Sequence, residues 1–261
     1  MARDDYLLDN QQAEAGERFD ALSELFNPST FQRMDAIGLS PGWRVWEVGA
    51  GGASVPSWIA ARTNGYVLAT DLDTSWLESA SATYEVKRHD IGIDPAPDGL
   101  FDLVHARLVL VHVPERTNAL LTMISAVRPG GCLFLEEADP GLQPLVCPDE
   151  FGDAEHLANK LKLAFRSLMS ERGVDLSFAR TLPRLLRSAG MRDVRSDAYF
   201  PMGGPACNEL ERATIEQIRD RLISGGLATE VEIEQHLSNV ASGQLDLATS
   251  PMVSVWARKP V

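Results

Sequence analysis

Between Arg44 and Ser54 the chain reads RVWEVGAGGAS, a β-branched and aromatic run that stops abruptly in glycine. Val45, Trp46 and Val48 suit a buried strand, and only small residues suit the tight turn after it. The stretch therefore predicts a strand, a close turn and a helix. Such a unit brings backbone N–H groups and a helix N-terminus to one spot, where a ligand can approach the main chain. One letter is out of keeping: Glu47 places a carboxylate inside the apolar strand, two residues ahead of Gly49.

The first half of the chain repeats this rhythm. Strands are expected at 44–48, 66–70, 85–89, 101–106 and 131–136, with helices over about 53–62, 74–81 and 115–127. Strands alternating with helices predict a mostly parallel, doubly wound α/β sheet with right-handed crossovers, and ligands at the carboxyl ends of its strands. RPGG, Arg128 to Gly131, reads as a helix stop and a tight re-entry into the fifth strand. Ahead of the sheet, residues 10–38 are expected to be helical, since Phe19, Leu22, Leu25 and Phe26 recur at three- and four-residue spacing. Asn27 to Thr30, NPST, is expected to restart that helix with Pro28 in its first turn.

The second half is helix-rich. Helices are expected over 149–172, 180–190 and about 206–240, with strands at 193–200 and 252–260. The expected organisation is one domain: an N-terminal helical segment (1–39), a cofactor-binding core (40–139) and helical cap insertions (140–178 and 203–250). The last two strands are expected to join the same sheet.

Charge narrows the partners. A net charge of −13 over 261 residues repels phosphate backbones and anionic bilayers, so neither nucleic acid nor membrane is expected as a partner. No apolar run is long enough to span a bilayer, and MARDDYLLDN lacks the apolar stretch of a signal peptide. Cys132, Cys147 and Cys207 stand far apart, without CxxC or Cys/His ligand spacing, which argues for no metal, no disulfide and a cytoplasmic setting. Oligomeric state is not legible.

Acidic residues then separate two cofactor classes. The spacing Glu47-x-Gly49-x-Gly51-x-Ala53 departs from the dinucleotide fingerprint G-x-G-x-x-G/A, which would put its last small residue at Ser54. A carboxylate at Glu47 repels a pyrophosphate and suits a cationic ligand instead. Asp71 ends the second strand, where a carboxylate accepts both hydroxyls of a ribose. Asp90 closes the third strand, where it accepts an adenine amino group while Ile91 or Leu72 packs on the ring. Each acid singly is equally a strand end or a helix cap.

VWEVGAGGAS, ATDLD, KRHD, FDLVHARLVLVHV and RPGGCLFLEE resemble, in order and spacing, the motifs of class I S-adenosylmethionine-dependent methyltransferases. The branch most similar is that of ubiquinone and menaquinone biosynthesis, with relatives in bacterial natural-product pathways. The resemblance covers about residues 40–139 and implies a seven-stranded sheet of order 3-2-1-4-5-7-6 with an antiparallel last strand. It implies that Glu47, Gly49 and Gly51 hold the methionine part of S-adenosylmethionine and Asp71 its ribose. Leu72, Asp90 and Ile91 fall at the adenine, Arg107 at the methyl-donor end, and Tyr6 over the cofactor. Ala53 replaces a glycine found in many members.

Methyl transfer to a small organic acceptor follows, with in-line placement as the protein's main task. His112, past the fourth strand, is the candidate base, with a structural role behind the cofactor as its alternative. His105 is expected to pack or to orient Arg107, His89 to support Asp90, His156 to face acceptor or water, and His236 to be solvated. Glu136, Glu137 and Asp139 are expected past the end of the fifth strand. Phe151, Phe165, Tyr199 and Met202 line an acceptor pocket or form the core of the cap. The other function classes open to this pattern are an NAD(P)-dependent oxidoreductase and a protein that keeps the cofactor without methylating.

Overall fold

A computed structural model describes residues 14–77 and 83–261 of the chain. Seven strands form one sheet: β1 (Val45–Val48), β2 (Val67–Asp71), β3 (Glu85–Arg88), β4 (Phe101–Arg107), β5 (Val127–Ala138), β6 (Arg192–Tyr199) and β7 (Met252–Arg258). Their order is β3-β2-β1-β4-β5-β7-β6. The first five are parallel, and β7 runs antiparallel to both its neighbours. The helices are α1 (Glu14–Ile37), α2 (Ser54–Thr63), α3 (Arg116–Ala126), α4 (Asp153–Glu171), α5 (Leu182–Ser188), α6 (Pro205–Ser224) and α7 (Glu230–Ala241).

The central strands are near-continuous in apolar residues because both their faces are covered. On one face Trp46, Val104, Leu133, Leu135 and Val255 pack with Leu120 and Met123 of α3 and with Leu182 and Leu186 of α5. On the other, Val45, Val67, Leu103 and Phe134 pack with Ile59 of α2 and with Met34 and Ile37 of α1. Trp46, Leu103, Leu133 and Phe134 are fully buried, each stabilising by about 1.5–3 kcal/mol. The edges are polar instead. β3 (EVKR) and β6 (RDVRSDAY) are mostly exposed, and their charges discourage pairing with a further strand.

Two compact units emerge. Of the described residues, the sheet unit comprises those within 27–138, 178–199 and 252–261, and the helical unit comprises 14–26, 139–177 and 200–251. The helical unit has its own core, in which Leu161, Phe165 and Leu168 of α4 meet Ile215, Ile218 and Leu222 of α6 and Ile233 of α7. β5 and β6 both end, and β7 begins, at the carboxyl edge of the sheet, where Ala138 and Tyr199 each pair with Met252.

Several local expectations change. Pro28 restarts nothing, because α1 runs through it without interruption. Proline removes one N–H from a helix interior, a cost met here by anchoring of the turns that follow. Phe31 stacks on Trp58 at 4.2 Å and Arg33 pairs with Asp197 at 2.7 Å. RPGG lies inside β5 rather than ahead of it: Gly130 N–H donates to the Lys259 carbonyl and Lys259 N–H to the Gly131 carbonyl. Gly131 is required there, since a Cβ would sit 3.0 Å from the Asp102 carbonyl oxygen. The 206–240 region is two helices, broken where Gly226 takes φ +65°. Of the helix expected over 74–81, Thr74 is irregular, Ser75 to Leu77 form a turn, and residues 78–81 lie outside the described residues.

In the helical unit, Asn159 secures the segment entering α4. Its Oδ1 accepts from Val146 N and Cys147 N, both at 2.8 Å, and its Nδ2 donates to the Cys147 carbonyl at 2.8 Å. Asn159→Ala leaves two buried N–H groups and a carbonyl unpaired. The expected loss is about 2–4 kcal/mol, read as a lowered urea midpoint. An unchanged midpoint would refute this account of the segment.

Candidate functional site

The glycine turn after β1 is set by two backbone requirements. Gly49 and Gly51 take φ +60° and +61°, a region unfavourable to side chains. A Cβ on Gly49 would lie 2.4 Å from Val109 Cγ2, so glycine also lets the loop after β4 close against this turn. Ala50 N–H then donates to the Thr70 carbonyl, and Gly51 N–H to Asp71 Oδ2 at 2.8 Å. Asp73 N–H holds the other carboxylate oxygen at 3.0 Å. Burial pushes the Asp71 carboxyl above its ordinary pKa although these backbone N–H groups pull the other way. Leu72, beside it, is half exposed.

The third strand joins through its backbone, His89 N–H donating to the Asp71 carbonyl at 2.9 Å. His89 itself is buried, its Nε2 2.9 Å from the Pro95 carbonyl and its ring edge-on to Trp46. Asp90 closes its own turn: Oδ1 accepts from Gly92 N at 2.9 Å. Ile91 is buried in the core. Glu47, Gly49, Gly51, Asp71, Asp90 and Arg107 thus stand on adjacent strand ends of one sheet edge. Tyr6 lies outside the described residues.

Glu47 faces α1, in a buried polar layer that crosses the sheet. Its Oε2 lies 2.7 Å from His105 Nδ1, and His105 Nε2 lies 3.3 Å from Glu136 Oε2. Ser254 donates to Glu136 Oε1 at 2.7 Å and Thr30 to Glu136 Oε2 at 2.5 Å. Arg107 Nη1 donates to Asn27 Oδ1 at 2.9 Å and to Thr30 Oγ1 at 3.2 Å. Burial lowers the His105 pKa, but the charges of Glu47 and Glu136 and hydrogen bonds to them outweigh it, raising it to about 9. Burial likewise opposes ionisation of Glu136, yet His105, Arg107 and Thr30 hold its pKa below the ordinary value.

The loop after β4 carries His112 on a single turn of 3-10 helix, Leu110–His112. Glu137 fixes the start of that turn: its Oε1 accepts from Val109 N at 3.1 Å and Leu110 N at 2.6 Å. Leu108, just before, takes φ +58°, uncommon for a branched residue, and its N–H donates to the Glu136 carbonyl.

Other expectations need correction. Glu136 and Glu137 lie within β5, not beyond it, because the strand extends to Ala138. The side chain of Glu136 turns to His105, that of Glu137 to Val109 and Leu110 N–H, and that of Asp139 to Leu142 N. His105 packs against Phe134, as expected, and its ring nitrogens meet Glu47 and Glu136 rather than Arg107. His236 is not solvated but fully buried, its Nε2 3.0 Å from Glu211 Oε1. His156 is exposed. Of the apolar quartet, Phe165 is core of the helical unit while Phe151, Tyr199 and Met202 are exposed. Thr30 and Ser254 escaped the sequence reading altogether, since single hydroxyls in a helix and a strand give no signal until β1, β4, β5, β7 and α1 are assembled.

Residues 46–135 match a family described as a methyltransferase domain. The chain is similar to phosphoethanolamine N-methyltransferase 1 of Arabidopsis thaliana, 23% identical over 207 residues that cover 75% of this chain and 38% of that protein. It is 29% identical over 188 residues to a ubiquinone biosynthesis O-methyltransferase of Burkholderia pseudomallei, covering 67% of this chain and 77% of the other. Among solved structures, it superposes with a TM-score of 0.61 and 16% identity on Haemonchus contortus phosphoethanolamine N-methyltransferase 2, determined with phosphomonomethylethanolamine and S-adenosylhomocysteine. That match covers 100% of this chain and 61% of the other. The chain spans about two fifths of the length of the plant relatives it matches.

Glu137 gives a test of this edge's electrostatics. Burial raises its carboxyl to about 8, against the backbone N–H groups that lower it, and its Oε2 has no partner among the described residues. Between its unfolded pKa near 4.5 and about 8, the unfolded chain releases this proton while the folded chain keeps it, so stability falls as pH rises. Glu137→Gln cannot ionise and retains an oxygen for Val109 and Leu110. From pH 5 to pH 8 its unfolding free energy, read from urea denaturation, is expected to gain on the wild type by on the order of a few kcal/mol. A constant difference across that range would contradict the assignment.

Proposed function

We propose that the chain, whose residues 46–135 match a family described as a methyltransferase domain, transfers the methyl group of S-adenosylmethionine to a small organic acceptor. The observation that carries the reading is the pairing, on one sheet edge, of Glu47 before a left-handed glycine turn with Asp71 bonded to that turn. Glu47 suits the methionine ammonium and opposes the pyrophosphate of a dinucleotide. Asp71 keeps free lone pairs for a ribose diol, and the exposed Leu72 offers an apolar surface to the adenine. Asp90 and Ile91 complete the adenine side, with Arg107 at the methyl-donor end and Tyr6 over the cofactor.

The bound cofactor supplies an activated methyl group on a sulfonium. The chain's own task is to hold the acceptor in line with it, which accounts for on the order of 7–11 kcal/mol of barrier lowering in well-oriented reactions. We assign His112 as the group that takes the acceptor's proton, since its turn leaves β4 at the reactive edge. The insertions 140–178 and 203–250 act as the acceptor-binding cap, as residues 139 and 200 follow directly from strand ends on that edge. A net charge of −13 favours a small molecule over nucleic acid, and the methyltransferases it resembles include enzymes named for phosphoethanolamine and for ubiquinone biosynthesis. No described helix is long and apolar enough to cross a membrane, and the three cysteines are free, in keeping with a cytoplasmic setting.

Calorimetry tests the cofactor: S-adenosylhomocysteine is expected to bind, and Asp71→Ala to weaken it at least tenfold, about 1.4 kcal/mol. Binding of NAD(P) with neither sulfur nucleoside would overturn the proposal. Release of S-adenosylhomocysteine with candidate amines, phenols and quinols then identifies the acceptor. His112→Asn is expected to lower kcat with little change in cofactor affinity, and a full rate in that variant would remove His112 from the chemistry.

A further inference from the structure

Glu47 does not meet its ligand as a free carboxylate. Of its two oxygens, Oε2 is taken by His105 Nδ1 at 2.7 Å, and no hydrogen bond from the described residues reaches Oε1. The opposite ring nitrogen of His105 faces Glu136 Oε2 at 3.3 Å. Ionised carboxylates only accept, so a ring held between two of them donates from both nitrogens and carries a positive charge. Glu136 is tied in turn by the Ser254 and Thr30 hydroxyls, and Phe134 packs against the imidazole at 4.8 Å. Arg107, bonded to Thr30, is the second cation acting on Glu47 and Glu136. Both ring nitrogens of His105 and one flank of the ring are thereby specified, from β1 and β5.

We propose that His105 is a positioning residue: clamped between Glu47 and Glu136, it fixes the Glu47 carboxylate so that Oε1 alone receives the ammonium of the cofactor's methionine end. This role rests on the cofactor reading above and deepens it. A carboxylate as buried as Glu47, left without His105, either turns toward another donor or takes more than one orientation. In both cases the directed acceptor is lost while the ribose and adenine contacts remain. The selectivity falls on one end of the ligand only.

Two nucleosides separate this role from a merely structural one. S-adenosylhomocysteine carries the ammonium, whereas 5′-methylthioadenosine shares its ribose and adenine but has no amino-acid end. His105→Gln, whose amide donates from one nitrogen only, is expected to bind S-adenosylhomocysteine at least tenfold more weakly. Its affinity for 5′-methylthioadenosine is expected to stay within twofold of the wild type. Glu136→Gln, which loosens the clamp from its far side, is expected to shift the same ratio in the same direction. Equal losses for both nucleosides, or no loss for either, would overturn the proposal. Should the substitutions unfold the chain, the unmodified protein decides. Nitrogen-15 resonances of His105 at pH 7.5 are expected to show both ring nitrogens protonated, and a singly protonated ring would overturn the clamp. Wild-type protein that binds neither nucleoside would overturn the cofactor reading and this role with it. That outcome is distinct from S-adenosylhomocysteine bound equally well by wild type and variant.

Discussion

A carboxylate inside an apolar strand is the constraint from which much of this structure follows. Glu47 is 2% exposed, and an isolated buried charge costs several kcal/mol unless it is paired and hydrogen-bonded. His105 supplies the pairing, but a cation on β4 needs its own second partner, Glu136 on β5. That carboxylate in turn uses hydroxyls from β7 and α1. One acid in the first strand thus dictates residues on three further strands and a helix. The remainder of the same sheet face is apolar, with Val45, Leu103, Phe134 and Met34 closing over the layer.

How far this was legible from sequence depends on the range of the interaction. Strand positions and the order of elements followed from local patterning, and Glu47, Gly49, Gly51 and Asp71 stood out because turn and strand end lie within one βαβ unit. The layer did not stand out. Its bonded partners are separated by as many as 118 residues, and each alone has an ordinary explanation. Glu136 and Glu137 were misplaced because EE after LFL looks like the polar end of a strand, whereas β7 pairs that segment through Ala138 and carries it inward. His236 was misread for a related reason. Its helix is acidic, and the acid that buries it, Glu211, lies on α6. Pro28 shows the opposite error, in which a strong local rule was overridden by the anchoring of Thr30, Phe31 and Arg33.

The helical unit follows its own logic. Its three principal helices share an aliphatic core, yet it also buries Glu211 against His236. Burial raises the Glu211 pKa, but the hydrogen bond from His236 and the charges of His236 and Lys162 bring it below the ordinary value. Both units therefore contain a carboxylate–imidazole contact, at different depths of organisation: the sheet's histidine is held on both nitrogens, while His236 Nδ1 is buried without a partner among the described residues. Only the doubly held ring is locked in both orientation and charge.

The segment that matches the methyltransferase-domain family, residues 46–135, is also smaller than the physical unit that holds its first strand together. Glu47 and His105 lie inside that span, but Thr30, Glu136 and Ser254 lie outside it. The second half of α1 consequently belongs to the sheet unit in energetic terms as well as by packing. Asn27 engages Arg107 at the end of β4, Thr30 engages Glu136, and Met34 is fully buried on the shared face. A fragment limited to the recognisable motifs would leave Glu136 and its hydroxyl partners behind, and with them half of the clamp on His105. Glu47 would then be an uncompensated charge in a strand core, the least tolerable arrangement available to it. The boundary of the functional unit is set by the last hydrogen bond that the buried carboxylate requires, not by the last residue of the motif.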